Sequence, residues 1–322
     1  MSDHDHAHDH ATRAEPTATA APAADHGHDH GHGHAPPANP GRAFAAATAL
    51  NLAFVVVEGA FGVAAGSMAL LADAGHNLSD VMGLLLAWGA TGLAMRAPTV
   101  RRSWGFRRST ILAALANALL TVAAGAIVLW ESILRLRSPE PVEGLTVMAV
   151  AGVGIAVNAL SAFLFWKGSK GDLNVRAAFQ HLAADAAVSV GVVIAGGIVA
   201  ATGLGWIDPV VGIVVSLVVL WTTWSVLRSA LDLALDAAPA HIDVQGVRRW
   251  LSEQAGVRDV HDLHVWAVST TEVALVAHLV IEEGAAEPDA LVQVLRSRFQ
   301  IGHATLQIER VACDGCGLTE AP

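Results

Sequence analysis

Apolar residues fill six runs of the chain, roughly 43–65, 68–95, 110–134, 145–167, 176–202 and 207–229. Each is long enough to cross a bilayer as a helix. After "WSVLRSALDLALDAAPAHID" the texture changes. "VQGVRRWLSEQ" has helical periodicity, "VHDLHVWAVS" and "TEVALVAHLVIEE" alternate like paired strands, "PDALVQVLRSRF" reads as a second helix and "ATLQIERV" as a third strand. The pattern predicts a membrane all-α domain of six transmembrane helices followed by a small α+β domain of order αββαβ. The expected boundaries are a tail at 1–40, the transmembrane domain at 41–232, the soluble domain at 233–312 and a short tail at 313–322.

Composition agrees: 53% of the 322 residues are hydrophobic and only 15% are charged, too apolar for an ordinary soluble domain. The net charge of −10 sits outside the apolar middle, because residues 1–34 carry six acids and one base and residues 240–322 twelve acids and six bases. Acidic soluble parts without a basic patch give no support for nucleic-acid binding. The start of the chain lacks a basic stretch followed by an apolar one, so no cleavable signal peptide is expected. Residues 1–34 hold nine of the sixteen histidines in a low-complexity tail that cannot bury a core. This tail either gathers zinc weakly or is inert.

Loop charges orient the helices. "RAPTVRRSWGFRR", after the second run, holds five arginines, and "KGSKGDLNVR", after the fourth, holds three bases. The connections after the first and fifth runs hold none. Basic loops stay in the cytoplasm, which puts both termini there.

Two polar pairs interrupt the apolar runs. In "SMALLADAGHNLSDVMGLLLAWGATGLA" His76 and Asp80 stand four apart, and "AAFQHLAADAAVSVG" repeats the spacing with His181 and Asp185. An aspartate at the centre of a membrane helix costs roughly 2.5–3.5 kcal/mol, so it faces a cavity or a partner. The i, i+4 spacing puts both members of a pair on one helix face. One pair alone reads equally as structural; two make a four-ligand N₂O₂ set suited to tetrahedral Zn²⁺. Asp73, one turn before His76, is a candidate orienter, transient ligand or proton carrier, or a satisfied polar group near the helix start. For Glu58, Asn117, Glu131 and Asn158, packing and interhelical hydrogen bonding is the cheaper explanation. Gly62 and Gly66 read as close helix packing.

"LLADAGHNLSD", "WGFRRSTILAALANALL", "LNVRAAFQHLAADAAVSVG" and "VHDLHVWAVS" together resemble the cation diffusion facilitator family, zinc-transporting branch, over about residues 43–312. The resemblance implies a homodimeric antiporter, not an enzyme, that moves a divalent cation out of the cytoplasm in exchange for H⁺. It carries His76, Asp80, His181 and Asp185 over as the transport site. Branches with Asp or Asn in place of His76 are associated with other metals, so His76 favours zinc without excluding cadmium or cobalt. Metal ligands must be deprotonated to bind, and histidine titrates near neutral pH. His76 and His181 are therefore the candidates for the exchanging protons.

The resemblance also implies a metallochaperone-like cytoplasmic domain that dimerises and senses metal, with Zn²⁺ as regulatory ligand near His261, His278 and Glu309. Where many relatives have two consecutive histidines before the last strand, this chain has Gly302 and His303. Cys313 and Cys316 form "CDGC", either added ligands, a redox pair or idle thiols. Strand parity places His264 on the opposite face from His261. A membrane-anchored zinc sensor or buffer and a membrane metallohydrolase are the rival readings. A scaffold has no use for two matched ligand pairs inside the membrane. A hydrolase needs three ligands, an open position and a general base, so two complete pairs fit closure around a passing ion better. A bacterial inner membrane is the expected location, with lipid, divalent metal ions and a second copy of the chain as partners.

Overall fold

The structure, a computed structural model, describes residues 42–138, 140–166, 173–282 and 287–311, and the side chains of all of these except 42–47 and 164–182. The histidine-rich tail, Cys313 and Cys316 lie outside the described residues. Six long helices come first: α1 (Arg42–Ala64), α2 (Met68–Ala94), α3 (Ser109–Arg137), α4 (Gly144–Trp166), α5 (Leu173–Thr202) and α6 (Ile207–Ala234). Among the described residues, α3, α6 and the Gly144–Phe163 and Ala183–Thr202 stretches of α4 and α5 are long and apolar enough to cross a membrane. In α1 the described apolar stretch is the shorter Thr48–Ala64, and in α2 the polar residues from Asp73 to Asp80 interrupt the apolar run. Trp88, Ile127, Trp130, Phe163 and Trp221 point outward, an outer surface that suits lipid.

α4 packs along α5 and α3 along α6, while α2 touches α1, α3, α5 and α6. This central place makes α2 the element through which any site in the bundle is built. The α4–α5 seam is tight: a Cβ on Gly144 would come 2.5 Å from the Gly196 carbonyl oxygen, so the backbones approach as only small residues allow.

The turn from α1 to α2 corrects one expectation. Gly62 does pack against its neighbour, since a Cβ there would stand 3.0 Å from Leu71 Cδ2. Gly66, however, lies beyond α1 with φ +64°, the left-handed conformation that ends helices and that glycine adopts without strain. Arg135 donates to its carbonyl oxygen. Ser67 then caps α2, accepting from Leu70 N at 3.1 Å and donating to Asp208 at 2.5 Å. Asp208 also accepts from Met68 N at 2.6 Å. The first turn of α6 thus satisfies the orphan N–H groups at the start of α2.

The soluble part follows the expected order: α7 (Val244–Ser252), β1 (Val257–Ala267), β2 (Val273–Ile281), α8 (Pro288–Arg298) and β3 (His303–Glu309). β1 runs antiparallel to β2, and β2 parallel to β3 across the α8 crossover. Val247, Leu251, Leu291 and Leu295 from the helices meet Val260, Val265, Leu275, Ala277 and Leu279 from one sheet face in a shared core. The opposite face carries the histidines.

β1 is not a regular strand. Its register slips between His261 and His264, which pair with His278 and Val276, and Asp262 within the slip has φ +49°. Such a bulge absorbs one residue. Val260 and Val265, five apart, consequently both reach the core. His261 and His264, three apart, share the other face. The parity expectation for His264 fails for this reason, although its side chain remains exposed and pairs with Asp262 at 2.8 Å.

Candidate metal centre

Each turn of α2 facing the bundle carries a polar group. Asp73 is fully buried and accepts a hydrogen bond from Ser189 Oγ of α5 at 3.0 Å. Asn77 donates to Glu58 of α1 at 3.2 Å, and Glu58 is also fully buried, beside Asp73. His76 Nε2 lies 3.3 Å from Asp185 Oδ1 on α5 and 3.7 Å from Asp80 Oδ2 on its own helix. One ligand atom from each of His76, Asp80 and Asp185 falls within 4.8 Å of the others. Ligands about 2.0–2.2 Å from a tetrahedral ion stand about 3.4 Å apart, so these three need only small shifts to share one. His181, the fourth expected ligand, falls in α5 one turn before Asp185, but its side chain lies outside those described.

Asp73 stands behind this group, held by Ser189 and Glu58. Two elements thereby anchor α2 just where it presents His76. Asn117 of α3 packs against Gly83 of α2, where a Cβ would come 2.7 Å from its Nδ2.

A second cluster forms on the sheet face opposite the helices. His261 Nε2 stands 3.3 Å from Glu309 Oε2 and His278 Nδ1 3.0 Å from Glu309 Oε1. Both nitrogens are buried and hold no hydrogen bond among the described residues. Two imidazole nitrogens and a carboxylate that converge on one point offer the donor set of a metal site, so these residues fit the ion. All three ligand atoms lie within 4.8 Å of one another. The outer nitrogen of each ring meets an aspartate. Asp259 Oδ2 is 3.0 Å from His261 Nδ1, and Asp262 Oδ2 is 3.5 Å from His278 Nε2. Carboxylates in that position orient ligating imidazoles and raise their basicity. Sequence reading missed both aspartates. The Asp259, His261 spacing of two puts both on one strand face and was available as a signal; Asp262 reaches the site only through the bulge.

His303 is not part of this cluster. It begins β3, at the end away from Glu309, and its ring meets Trp104 of the α2–α3 loop edge-on at 4.9 Å.

Residues 44–233 match the model of the cation efflux transmembrane domain, and residues 239–311 that of the cation efflux protein cytoplasmic domain. The chain belongs to the cation efflux family. It is 40% identical to the zinc transporter ZitB of Escherichia coli K12, over 88% of this chain and 93% of that protein. It is 34% identical to the metal cation efflux system protein CzcD of Cupriavidus metallidurans, over 86% and 89%. A solved metal-bound C-terminal domain of the CzcD transporter from that organism is 32% identical, covering 21% of this chain and 99% of that one, with a TM-score of 0.19. A cadmium, cobalt and zinc/H⁺-K⁺ antiporter of Bacillus subtilis is 30% identical, over 80% and 86%. As a member of this family, the chain is a membrane protein of cation efflux.

Proposed function

We propose that this protein exports Zn²⁺ from the cytoplasm in exchange for protons, as a homodimer in a bacterial inner membrane with both termini in the cytoplasm. The observation that carries the reading is the convergence of His76 and Asp80 from α2 with Asp185 from α5. The names of ZitB and CzcD support zinc and related cations as cargo, and that of the Bacillus protein supports antiport. The family model that residues 239–311 match is named for a dimer, which supports a homodimer.

In this reading His76, Asp80, His181 and Asp185 hold the ion as an N₂O₂ set. One imidazole and one carboxylate come from each of two helices, so a relative movement of α2 and α5 changes the geometry of the site between inward-open and outward-open states. Every ligand must give up its proton to bind the ion. Protons arriving from the outer side therefore compete for the same atoms and release the cargo. Asp73, held by Ser189, keeps α2 in register with α5. The protein is a carrier and performs no covalent chemistry. The His261, His278 and Glu309 cluster binds regulatory Zn²⁺ in the cytoplasm.

Zinc uptake into inside-out vesicles under an imposed pH gradient tests the whole reading. Uptake should follow the gradient and vanish in Asp185→Ala. Uptake indifferent to the gradient would sink antiport, and a parental rate in Asp185→Ala would sink the site. In proteoliposomes His76→Asp should broaden selectivity among Zn²⁺, Cd²⁺, Co²⁺ and Mn²⁺; an unchanged metal ranking would remove His76 as the selecting residue.

A further inference from the structure

The tight seam between α4 and α5 fixes which turns of the two helices face each other. A Cβ on Gly144 would meet the Gly196 carbonyl oxygen and Ala200, one on Gly196 would meet Val147 and Met148 N, and one on Gly154 would come 3.6 Å from Ser189 Oγ. The helices therefore run antiparallel, each turn forward on α4 matching one turn back on α5. The next turn sets Asn158 of α4 abreast of Asp185 of α5.

The buried face of α4 consists of Val147, Val150, Ala151, Asn158, Ser161 and Ala162, at helical spacing. It is apolar until it reaches Asn158. Asn158 and Asp185 are 3% and 4% exposed, and Asn158 Nδ2 is buried with no hydrogen-bond partner among the described residues. The bond between helices that its sequence position suggests is not made. A buried amide without an acceptor destabilises a fold, and an apolar residue of the same size avoids that cost. Its place beside a carboxylate gives it a use.

Asp185 Oδ1 is 3.3 Å from His76 Nε2, and Asp80 Oδ2 is 3.7 Å from the same nitrogen. This nitrogen is turned toward both carboxylates, so it is the one an ion among the three takes. On binding a cation it carries no proton and donates nothing to Asp185. A carboxylate that ligates an ion is itself held by hydrogen bonds. Ser189, one turn along α5, already donates to Asp73. Asn158 stands on the facing helix with an amide to give.

We propose that Asn158 is a positioning residue of the membrane metal centre: its amide donates to Asp185 and aims that carboxylate at a divalent cation shared with His76 and Asp80. The bond forms as the carboxylate leaves the His76 nitrogen, so the donor is engaged in the loaded site. The inference rests on the reading of Asp185 as a ligand. It adds α4 to a site built by α2 and α5, and the close α4–α5 packing keeps the donor in register with its acceptor.

The test measures zinc affinity of the full chain in detergent by competition with a zinc-binding dye, with His278→Ala disabling the cytoplasmic cluster. Zinc bound by this parent and not by its Asp185→Ala form belongs to the membrane site. Asn158→Leu keeps the size and removes the donor. It should weaken zinc binding at the membrane site by roughly tenfold or more. The melting temperature in the presence of a chelator should stay level or rise, because an unpartnered amide has been removed. Parental affinity in a folded Asn158→Leu chain overturns the role. If affinity and melting temperature fall together, Asn158→Ser, which keeps a hydroxyl donor, decides. Affinity restored toward the parent's upholds the bond to Asp185; affinity as low as that of Asn158→Leu assigns the loss to packing and overturns it. A parent that binds no more zinc than its Asp185→Ala form overturns the ligand reading itself, a result distinct from parental binding that Asn158→Leu leaves unchanged.

Discussion

His261 and His278 each turn one ring nitrogen toward Glu309 and the other toward an aspartate. A ring held from both sides cannot rotate away from an ion, and the carboxylate behind it fixes which nitrogen bears the proton. Replacing either partner, as Asp259→Asn or Asp262→Asn, should therefore weaken metal binding at the cytoplasmic cluster by roughly 10–100-fold while leaving the ligands in place. Competition titration against a zinc-binding dye, in a chain whose membrane site is disabled by Asp185→Ala, measures this; affinity equal to that of the disabled parent would refute the role. Much of the metal chemistry is legible in the residue spacing alone. The period of 3.6 makes His76 and Asp80 neighbours whatever surrounds them, and the repeat at His181 and Asp185 names the partner helix. Asp262 is not legible in this way, because parity assumes an unbroken pleat and the bulge at this residue breaks it.

At the scale of elements, α2 is the helix on which the membrane site depends, and its start is held by another helix. Ser67 caps it in the ordinary way, but Asp208 of α6 takes both the Ser67 hydroxyl and the Met68 N–H. The periodic apolar pattern locates α2 and α6 in the sequence. It cannot show that the acid before Pro209 closes the end of a helix 140 residues earlier, since such a contact depends on how the bundle assembles. Asp208→Ala leaves the hydroxyl and the N–H without their acceptor in an apolar setting. Losing a helix cap costs roughly 0.5–2 kcal/mol, so the melting temperature in detergent should fall. Ser67→Ala should lower it as well, and the double variant by less than the sum, because the two groups bond each other. Fully additive losses would argue against a shared cap.

At the scale of the molecule, the membrane and cytoplasmic parts meet through the α2–α3 loop. Arg107 pairs with Glu272, Arg108 with Asp236, Thr270 N donates to Thr110 Oγ1 at 3.1 Å, and Trp104 meets His303. Glu272 immediately precedes β2, the strand carrying His278, and His303 begins β3, the strand ending at Glu309. Two of the three strands that supply the cytoplasmic cluster thus touch, at their other ends, the segment that joins α2 to α3. Movement of these strands as His278 and Glu309 close on an ion would reach the bundle through those contacts. The Arg107 and Glu272 side chains are 40% and 43% exposed, and a pair so placed contributes about 0–1 kcal/mol, too little to set stability. Its effect should appear in coupling instead. Glu272→Arg sets like charges against each other and should shift the dependence of transport rate on cytoplasmic zinc, with little change in melting temperature. Adding Arg107→Glu restores an attractive pair and should restore the parental zinc dependence. Initial rates in vesicles over a range of zinc, measured for the parent, both single reversals and the double swap, check this. A Glu272→Arg chain with the parental zinc dependence would show that the pair transmits nothing, whereas a double swap as impaired as the single variants would assign the effect to the individual side chains rather than to their pairing.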